Sequence, residues 1–346
     1  MKKKLLVLLS ILMVMSLLLT ACGSSSGGDS ATSPTDAASA PETASGDTAS
    51  TDTDTVAVGA VVIARDDIPE DQVYAFVSSI CENTDSIAEQ HGKGAELDLD
   101  FAASVTSVPY HPGAAKYFSE KGYDVDVKSG AGAGDAGSLA FGTGSDTGTY
   151  YAFGSVLANF VSNNSDFTVT AVTSGGSQAN IEDMMAGDVQ LGFVQSDVMS
   201  YAYNGERLFE EAVTGFSVVA ALYMEQVQIV TTNSSIASVA DLAGKTVSIG
   251  AVGSGVYFNA VDVLDAYGLT EDDIKPVYQN FGDSADSLKD GKIDAAFIVA
   301  GVPTPAITDL ASGGSVYLVA LDSEHVSSLL STSPFYSAYT IPAGTY

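Results

Sequence analysis

Residues 138–161 read Ser-Leu-Ala-Phe-Gly-Thr-Gly-Ser-Asp-Thr-Gly-Thr-Tyr-Tyr-Ala-Phe-Gly-Ser-Val-Leu-Ala-Asn-Phe-Val. An apolar run ends at Gly142, a loop of glycine and hydroxyl residues follows, and from Tyr151 the apolar residues recur at helical spacing. This pattern predicts a strand that runs through a loop into a helix. Glycines let a ligand approach the backbone closely, and the free N–H groups of a helix N-terminus favour an anion. We therefore expect this loop to bind a small anionic solute.

Two alternatives to a solute-binding loop remain open at this stage. The spacing Gly142-x-Gly144-x-x-x-Gly148 is one residue longer than the usual dinucleotide-binding fingerprint, and such a match by itself is weak. A tight turn between strand and helix, with no ligand, is the other alternative. The position of the loop relative to the other strands distinguishes the solute-binding loop from these two alternatives.

The first residues are typical of a secretory signal. Met1-Lys-Lys-Lys precedes an apolar run from Leu5 to Leu19 that is shorter than a typical spanning helix. Leu19-Thr-Ala-Cys then resembles a bacterial lipobox, in which the signal peptide (1–21) is removed and Cys22 is lipidated. This predicts an extracytoplasmic protein anchored to the cell membrane by Cys22. An uncleaved anchor would leave the rest of the chain on the same side, because the three lysines stay cytoplasmic.

The composition excludes several partners. Without the signal lysines the chain has 10 basic and 43 acidic residues, a net charge of −33, so nucleic acids and anionic membrane surfaces are poor partners. The three histidines have no spacing that predicts a zinc site, and we expect neither a metal nor a cofactor. With Cys22 lipidated, Cys81 is alone, so no disulfide within the chain is available.

Alternating strands and helices predict the class of the fold. A polar tether (22–55) precedes the apolar run Val56 to Ala64, which predicts a buried strand with neighbours on both sides, as parallel strands have. We expect its partner to be the strand Gln226 to Thr231. After a Gly-rich linker (124–138), three β-loop-α units follow, whose strands are predicted at 139–141, 167–172 and 189–194.

The last third of the chain repeats this arrangement. A strand and a Gly-rich loop around Gly253 open another helix, and a strand is predicted at Ala295 to Ala300. We therefore predict an α/β fold with lobe I at 56–232 and lobe II at 233–346. Open α/β sheets bind ligands at the carboxyl ends of their strands, so the loops of the two lobes should face one hinged cleft.

Several of these stretches resemble the TAXI group of solute-binding proteins, which serve TRAP transporters and have a two-lobed periplasmic-binding-protein-like fold of type II. Together they cover most of 139–346. The matching stretches are Gly142-Thr-Gly-Ser-Asp-Thr-Gly-Thr-Tyr-Tyr, Thr173-Ser-Gly-Gly-Ser-Gln-Ala-Asn, Gly192-Phe-Val-Gln-Ser-Asp-Val, Val239-Ala-Asp-Leu-Ala-Gly-Lys, Gly253-Ser-Gly-Val-Tyr-Phe-Asn, Ala285-Asp-Ser-Leu-Lys-Asp-Gly-Lys-Ile-Asp-Ala and Gly301-Val-Pro-Thr-Pro-Ala.

Residues 56–123 resemble the carboxyl-terminal portion of the same group, which normally follows a stretch like Thr340-Ile-Pro-Ala-Gly-Thr-Tyr. Here the order is rotated. The resemblance therefore implies a circularly permuted chain, in which the linker 124–138 joins the original ends.

The resemblance implies that a monomeric protein captures a small organic acid or a glutamate-like amino acid and delivers it to a TRAP-type permease. No Arg or Lys lies in the matching loops, so N–H groups and hydroxyls would hold a carboxylate. The implied ligand-binding residues are Gly144, Ser145, Thr147, Tyr150, Ser177, Gln195, Asp197, Ser254, Gly255, Val256 and Tyr257.

Two other functions compete with transport. An enzyme would need a nucleophile with a base beside it, but no histidine lies near these loops in sequence, and we predict no catalytic residues. A sensor that presents its bound solute to a membrane receptor could use the same cleft. Neighbouring genes would discriminate, because a multi-spanning permease favours transport and a kinase or chemoreceptor favours sensing.

Overall fold

The structure is a computed structural model that describes residues 51–134 and 137–346. The predicted signal peptide, the lipidation site Cys22 and most of the predicted tether lie outside the described residues. Those that are described belong to one compact unit, Ser45–Tyr346. Within them, no helix combines the length and apolar character that crossing a membrane requires.

The described residues form one sheet of ten strands with helices on its faces. The strands are β1 (Thr53–Arg65), β2 (Leu139–Gly142), β3 (Val169–Val172), β4 (Leu191–Gln195), β5 (Phe216–Thr231), β6 (Thr246–Ser248), β7 (Lys275–Val277), β8 (Ala295–Ala300), β9 (Tyr317–Leu318) and β10 (Ser337–Ile341). The helices are α1 (Glu70–Cys81), α2 (Thr84–Ala88), α3 (Leu99–Ala102), α4 (Pro112–Glu120), α5 (Thr149–Asn164), α6 (Ser177–Ala186), α7 (Ser196–Asn204), α8 (Val256–Ala266), α9 (Phe281–Lys289), α10 (Pro305–Gly313) and α11 (Ser323–Thr332).

The strand order is β3-β2-β4-β1-β5-β8-β6-β7, with β10 paired to β1 and β9 to β5. Three parallel strands on each side of the centre follow the same order, with the second strand outermost, then the first, then the third. We call β2–β4 the first parallel group and β6–β8 the second parallel group. The predicted α/β fold is confirmed, and in each group the carboxyl ends of the strands lie at one edge, where ligands bind in such sheets.

The two long central strands differ from the sequence prediction. β1 is antiparallel to its neighbours β4, β5 and β10, so the parallel environment expected for it is wrong. Its register with β5 runs from Ala57 opposite Gln226 to Arg65 opposite Phe216. The predicted partner segment, Gln226 to Thr231, pairs mainly with β8 instead. β5 has 16 residues and is long enough to cross from the first parallel group to the second. Its first part therefore pairs with β1, and its last part pairs with β8.

The start and the end of the described chain lie side by side. β10 pairs with the beginning of β1, with Ile341 opposite Thr53. Beyond β10, the Ala343 N–H donates to Asp52 Oδ1 at 2.9 Å. The predicted lobe boundary at 232/233 falls just after β5, which ends at Thr231.

Candidate functional site

A cavity of about 210 Å³ lies at the carboxyl ends of the parallel strands. The loops that follow β2, β3 and β4 line one side of it. The loops that follow β6 and β7, together with the end of β8, line the other side. The glycine-hydroxyl loop of 142–149 therefore faces a cavity shared with the second parallel group, and does not form a dinucleotide crevice within a single group.

Eight of the eleven residues predicted to bind ligand line this cavity. They come from three helix starts and one strand end that are far apart in sequence. They are Gly144, Ser145, Tyr150, Ser177, Gln195, Ser254, Gly255 and Val256. Their role in ligand binding stays a prediction, but the structure brings their side chains and backbone together.

The structure does not place the other three at the cavity. Asp197 is fully buried and accepts a hydrogen bond from Asn259 Nδ2 at 2.9 Å. Tyr257 follows Val256 on α8 and therefore projects in another direction, where its hydroxyl donates to Glu271 at 2.7 Å. The Thr147 hydroxyl lies 3.0 Å from that of Ser145.

Of the helices that begin at the cavity wall, three have a glycine at the N-cap and no side-chain cap. Their N-cap residues are Gly148 for α5, Gly176 for α6 and Gly255 for α8. All three glycines line the cavity. The first N–H groups of a helix have no partner inside the helix and carry the positive end of its dipole. Three such ends around one small cavity favour an anionic group there.

Two buried side-chain atoms at the cavity lack partners. Gln195 is 2% exposed and Ser254 is 6% exposed, and both line the cavity. No described residue makes a hydrogen bond to Gln195 Oε1 or Ser254 Oγ. An unsatisfied buried polar atom costs about 1–3 kcal/mol, so a ligand that bonds these atoms recovers that free energy.

The sequence prediction missed Glu225, a carboxylate that also lines the cavity. It lies on β5, is 2% exposed, and its Oε2 accepts a hydrogen bond from the Tyr150 hydroxyl at 2.6 Å. The Tyr150 ring in turn stacks on Phe193 with 4.6 Å between ring centroids. The available signal was one acidic residue inside the apolar run 216–231, but the predicted strand began one residue later.

Burial raises the pKa of Glu225 to about 8. The charge of Asp197 adds to this rise, whereas the hydrogen bond from Tyr150 and the charge of Lys93 oppose it. Among the described residues that line the cavity, Glu225 is the one Asp or Glu, and none is Lys, Arg or His. At neutral pH the carboxyl group therefore keeps its proton in the unliganded protein.

The raised pKa predicts a pH-dependent gain in stability for Glu225→Gln. Between the ordinary value of 4.5 and about 8, the folded protein holds a proton that the unfolded chain has lost, so stability falls as pH rises through this window. The variant avoids this loss and should melt a few degrees higher than the wild type at pH 8, with little difference at pH 4.5. Thermal unfolding at both pH values tests this, with the exposed Glu182→Gln as control. An equal difference at both pH values would contradict the assignment.

The described cavity residues offer hydroxyls without a histidine beside them. In the described part of the chain, no group of three or more His, Cys, Asp or Glu side chains is arranged to hold a metal ion. The arrangement can bind and enclose a solute.

Solved structures that resemble this chain include three binding proteins. The alkanesulfonate-binding protein SsuA from Xanthomonas axonopodis pv. citri, bound to MOPS, is 21% identical with a TM-score of 0.38, over 54% of this chain and 61% of that chain. The aliphatic sulphonate binding protein SsuA from Escherichia coli is 19% identical with a TM-score of 0.36, over 61% and 63%. An ancestral arginine-binding protein bound to arginine is 18% identical with a TM-score of 0.37, over 54% and 79%. The chain thus spans less than two thirds of both sulfonate-binding proteins.

A family profile gives a broader match. The profile of the NMT1-like family matches residues 33–122 and 141–346. The gap between the two matched segments contains the whole of the linker predicted at 124–138. Because the match covers well over half of the chain, including most of β1 to β10 and α1 to α11, this protein belongs to the NMT1-like family.

Proposed function

We propose that this protein is an extracytoplasmic, non-enzymatic solute-binding protein, anchored by lipidated Cys22, that captures a small organic acid or amino acid in the cavity. The observation that carries the proposal is the convergence of α5, α6 and α8, whose uncapped N-termini meet at one cavity. Aligned N–H groups and helix dipoles stabilise a carboxylate without a basic side chain. The cavity is smaller than the roughly 300–1,000 Å³ of pockets for drug-sized ligands, which favours a small solute.

Hydrogen bonds between the two parallel groups support capture by enclosure. The Thr149 hydroxyl donates to the Gly301 carbonyl at 2.8 Å, and the Ala179 N–H donates to the Gly253 carbonyl at 2.9 Å. A solute that enters the cavity must separate these contacts, and closure then restores them around it. A hinged cleft formed by lobe I (56–232) and lobe II (233–346) would provide that motion.

For the partner, we propose a membrane permease of the TRAP type, because the sequence stretches around the cavity resemble the TAXI group. The enclosed solute would be released to this permease when the cleft opens. An ABC-type permease is the alternative partner. Co-purification from membranes discriminates the two, since an ABC partner brings an ATPase subunit and a TRAP partner does not.

We also propose that the chain is circularly permuted relative to the TAXI group. The adjacency of β1 and β10 supports this, because permutation is tolerated where chain ends lie close together. The linker 124–138 would then replace an original pair of chain ends.

The proposed function predicts that small organic acids or amino acids stabilise the protein. A ligand at 100 times its Kd should raise the unfolding free energy by about 2.7 kcal/mol. For the best ligand, Ser254→Ala should weaken binding by about 0.5–1.5 kcal/mol, because the ligand would lose its hydrogen bond to the Ser254 hydroxyl, which no described residue engages. A thermal-shift screen followed by calorimetry tests both, with the exposed Ser312→Ala as control. If no acid or amino acid stabilises the protein, or if Ser254→Ala binds like the wild type, the cavity is not the site.

A further inference from the structure

We propose that Glu225 binds a protonated amine of the ligand, so that the solute is a zwitterion with an anionic group at the helix N-termini and an ammonium group at Glu225. This inference rests on the proposed function and names the class of solute for the same cavity. It selects amino acids over simple carboxylic acids.

The geometry leaves one carboxyl oxygen of Glu225 for a ligand. Oε2 accepts the hydrogen bond of the Tyr150 hydroxyl, and no described residue donates to Oε1. Tyr150 is held by its stacking on Phe193, so the carboxyl group has a fixed position at the cavity. A fixed acceptor that faces an enclosed cavity suits one N–H donor of an ammonium group.

The charges around Glu225 favour a cationic ligand group. The described residues that line the cavity include no Lys, Arg or His. Lys93 acts on Glu225 through its charge, but its Nζ atom lies 2.6 Å from Glu96 Oε1 and over the ring of Tyr223. A buried carboxylate without a bonded cation is costly, and a ligand ammonium group would supply that cation.

The other acceptor without a partner supports the same choice. Gln195 lines the cavity, and its Oε1 atom receives no hydrogen bond from any described residue. A second ligand carboxylate beside Glu225 would meet another carboxyl group, and the hydroxyl proton of Tyr150 is already donated to Glu225. Two acceptors, Glu225 Oε1 and Gln195 Oε1, match an ammonium group, which carries three donors and no acceptor.

Binding of an ammonium group should release a proton from Glu225. The titratable and charged groups that act on Glu225 are Tyr150 on α5, Asp197 on α7, Lys93, and Tyr223 on β5 itself. Because burial raises the pKa of Glu225 to about 8, its carboxyl group is protonated at pH 6.5 before binding. An ammonium group stabilises the ionised form, so the affinity of a zwitterion should rise between pH 5.5 and pH 7.5.

The experiment compares matched pairs of probes that differ by one amino group: L-glutamate with glutarate, L-valine with isovalerate, and L-alanine with propionate. Calorimetry is done on the wild type, Glu225→Gln and the exposed control Glu182→Gln. At pH 6.5, two buffers of different ionisation enthalpy report the protons released. We expect at least one amino acid to bind more tightly than its partner by about tenfold or more, with release of close to one proton. Glu225→Gln should remove this preference and the proton release, whereas Glu182→Gln should keep both.

Three outcomes would overturn the inference. In the first, the acids without an amino group bind as tightly as the amino acids; the cavity is then an acid-binding site, and the proposed function stands. In the second, amino acids are preferred but neither proton release nor the preference depends on Glu225, so another group binds the amine. In the third, no probe of either class binds, and the proposed function fails together with the inference. Proton release is measured on the wild type, so a folding defect in Glu225→Gln does not remove the test.

Discussion

Deletion of residues 51–138 should leave residues 139–346 unable to fold. The deletion removes β1, which lies between β4 and β5, so each neighbour loses the hydrogen bonds along one of its edges. β1 also buries four valines and Ile63 completely. At about 1.5–3 kcal/mol for each such side chain, this burial contributes roughly 8–15 kcal/mol. That equals the whole stability of an ordinary domain, about 5–15 kcal/mol. Circular dichroism and the loss of a cooperative melting transition provide the measurement.

Restoring residues 51–123 at the other end of the chain should rescue the fold. A rearranged chain would run from residue 139 to residue 346, continue through a short Gly/Ser link, and end with residues 51–123. The link is short because Ala343 already contacts Asp52. We expect a cooperative transition close to that of residues 51–346, which serve as the control, and the same ligand affinity. If residues 139–346 alone melt cooperatively and bind ligand, residues 51–123 are an appendage and the permutation proposal is wrong.

Gly255→Ala should weaken solute binding by about 100-fold while the protein stays folded. A Cβ atom at this position would overlap the side-chain amide of Gln195 and approach Ser177 Oγ at 2.9 Å. Gln195 ends β4 and Ser177 begins α6 on one side of the cavity, whereas Gly255 lies in the loop after β6 on the other side. The clash therefore acts against closure of the two sides on a ligand. Overpacking costs about 1–3 kcal/mol, and a 100-fold loss corresponds to about 2.7 kcal/mol. Calorimetry with the best ligand from the screen measures it.

The fold should tolerate this change because Gly255 has φ −70° and ψ −23°, which alanine adopts without strain. The matched control is Gly92→Ala, since a Cβ atom there meets nothing within 4 Å. Both variants should have wild-type circular dichroism, and only Gly255→Ala should bind weakly. If Gly255→Ala bound the ligand with wild-type affinity, the ligand-bound protein would not have the close approach of Gly255 to Gln195 that this structure shows.

The local pattern of the sequence was sufficient for most elements. Apolar runs bounded by glycine predicted β2 and β8, and helical spacing predicted α5 and α8, because these signals depend only on neighbouring residues. The glycine-hydroxyl loops after parallel strands also predicted where the cavity lies. That inference needs only the rule that the carboxyl ends of parallel strands share one edge.

The long strands and the contents of the cavity depended on contacts distant in sequence. An apolar run such as that of β1 shows burial but not the direction of its neighbours, so its antiparallel pairing could not be read from it. Asp197 was expected at the cavity because the family resemblance implies it as a ligand-binding residue. Its side chain instead meets Asn259, 62 residues away, as a consequence of how α7 and α8 pack.

The sequence by itself determined the α/β class, and it predicts a polar tether with a lipobox-like start and a set of glycine loops that can bind an anion. Only the tertiary structure decided that β5 crosses both parallel groups and carries Glu225 to the cavity, where Tyr150 meets it. The physical reason is that backbone propensity and apolar periodicity are local, whereas burial of a charge and the alignment of three helix N-termini are created by the packing of distant segments.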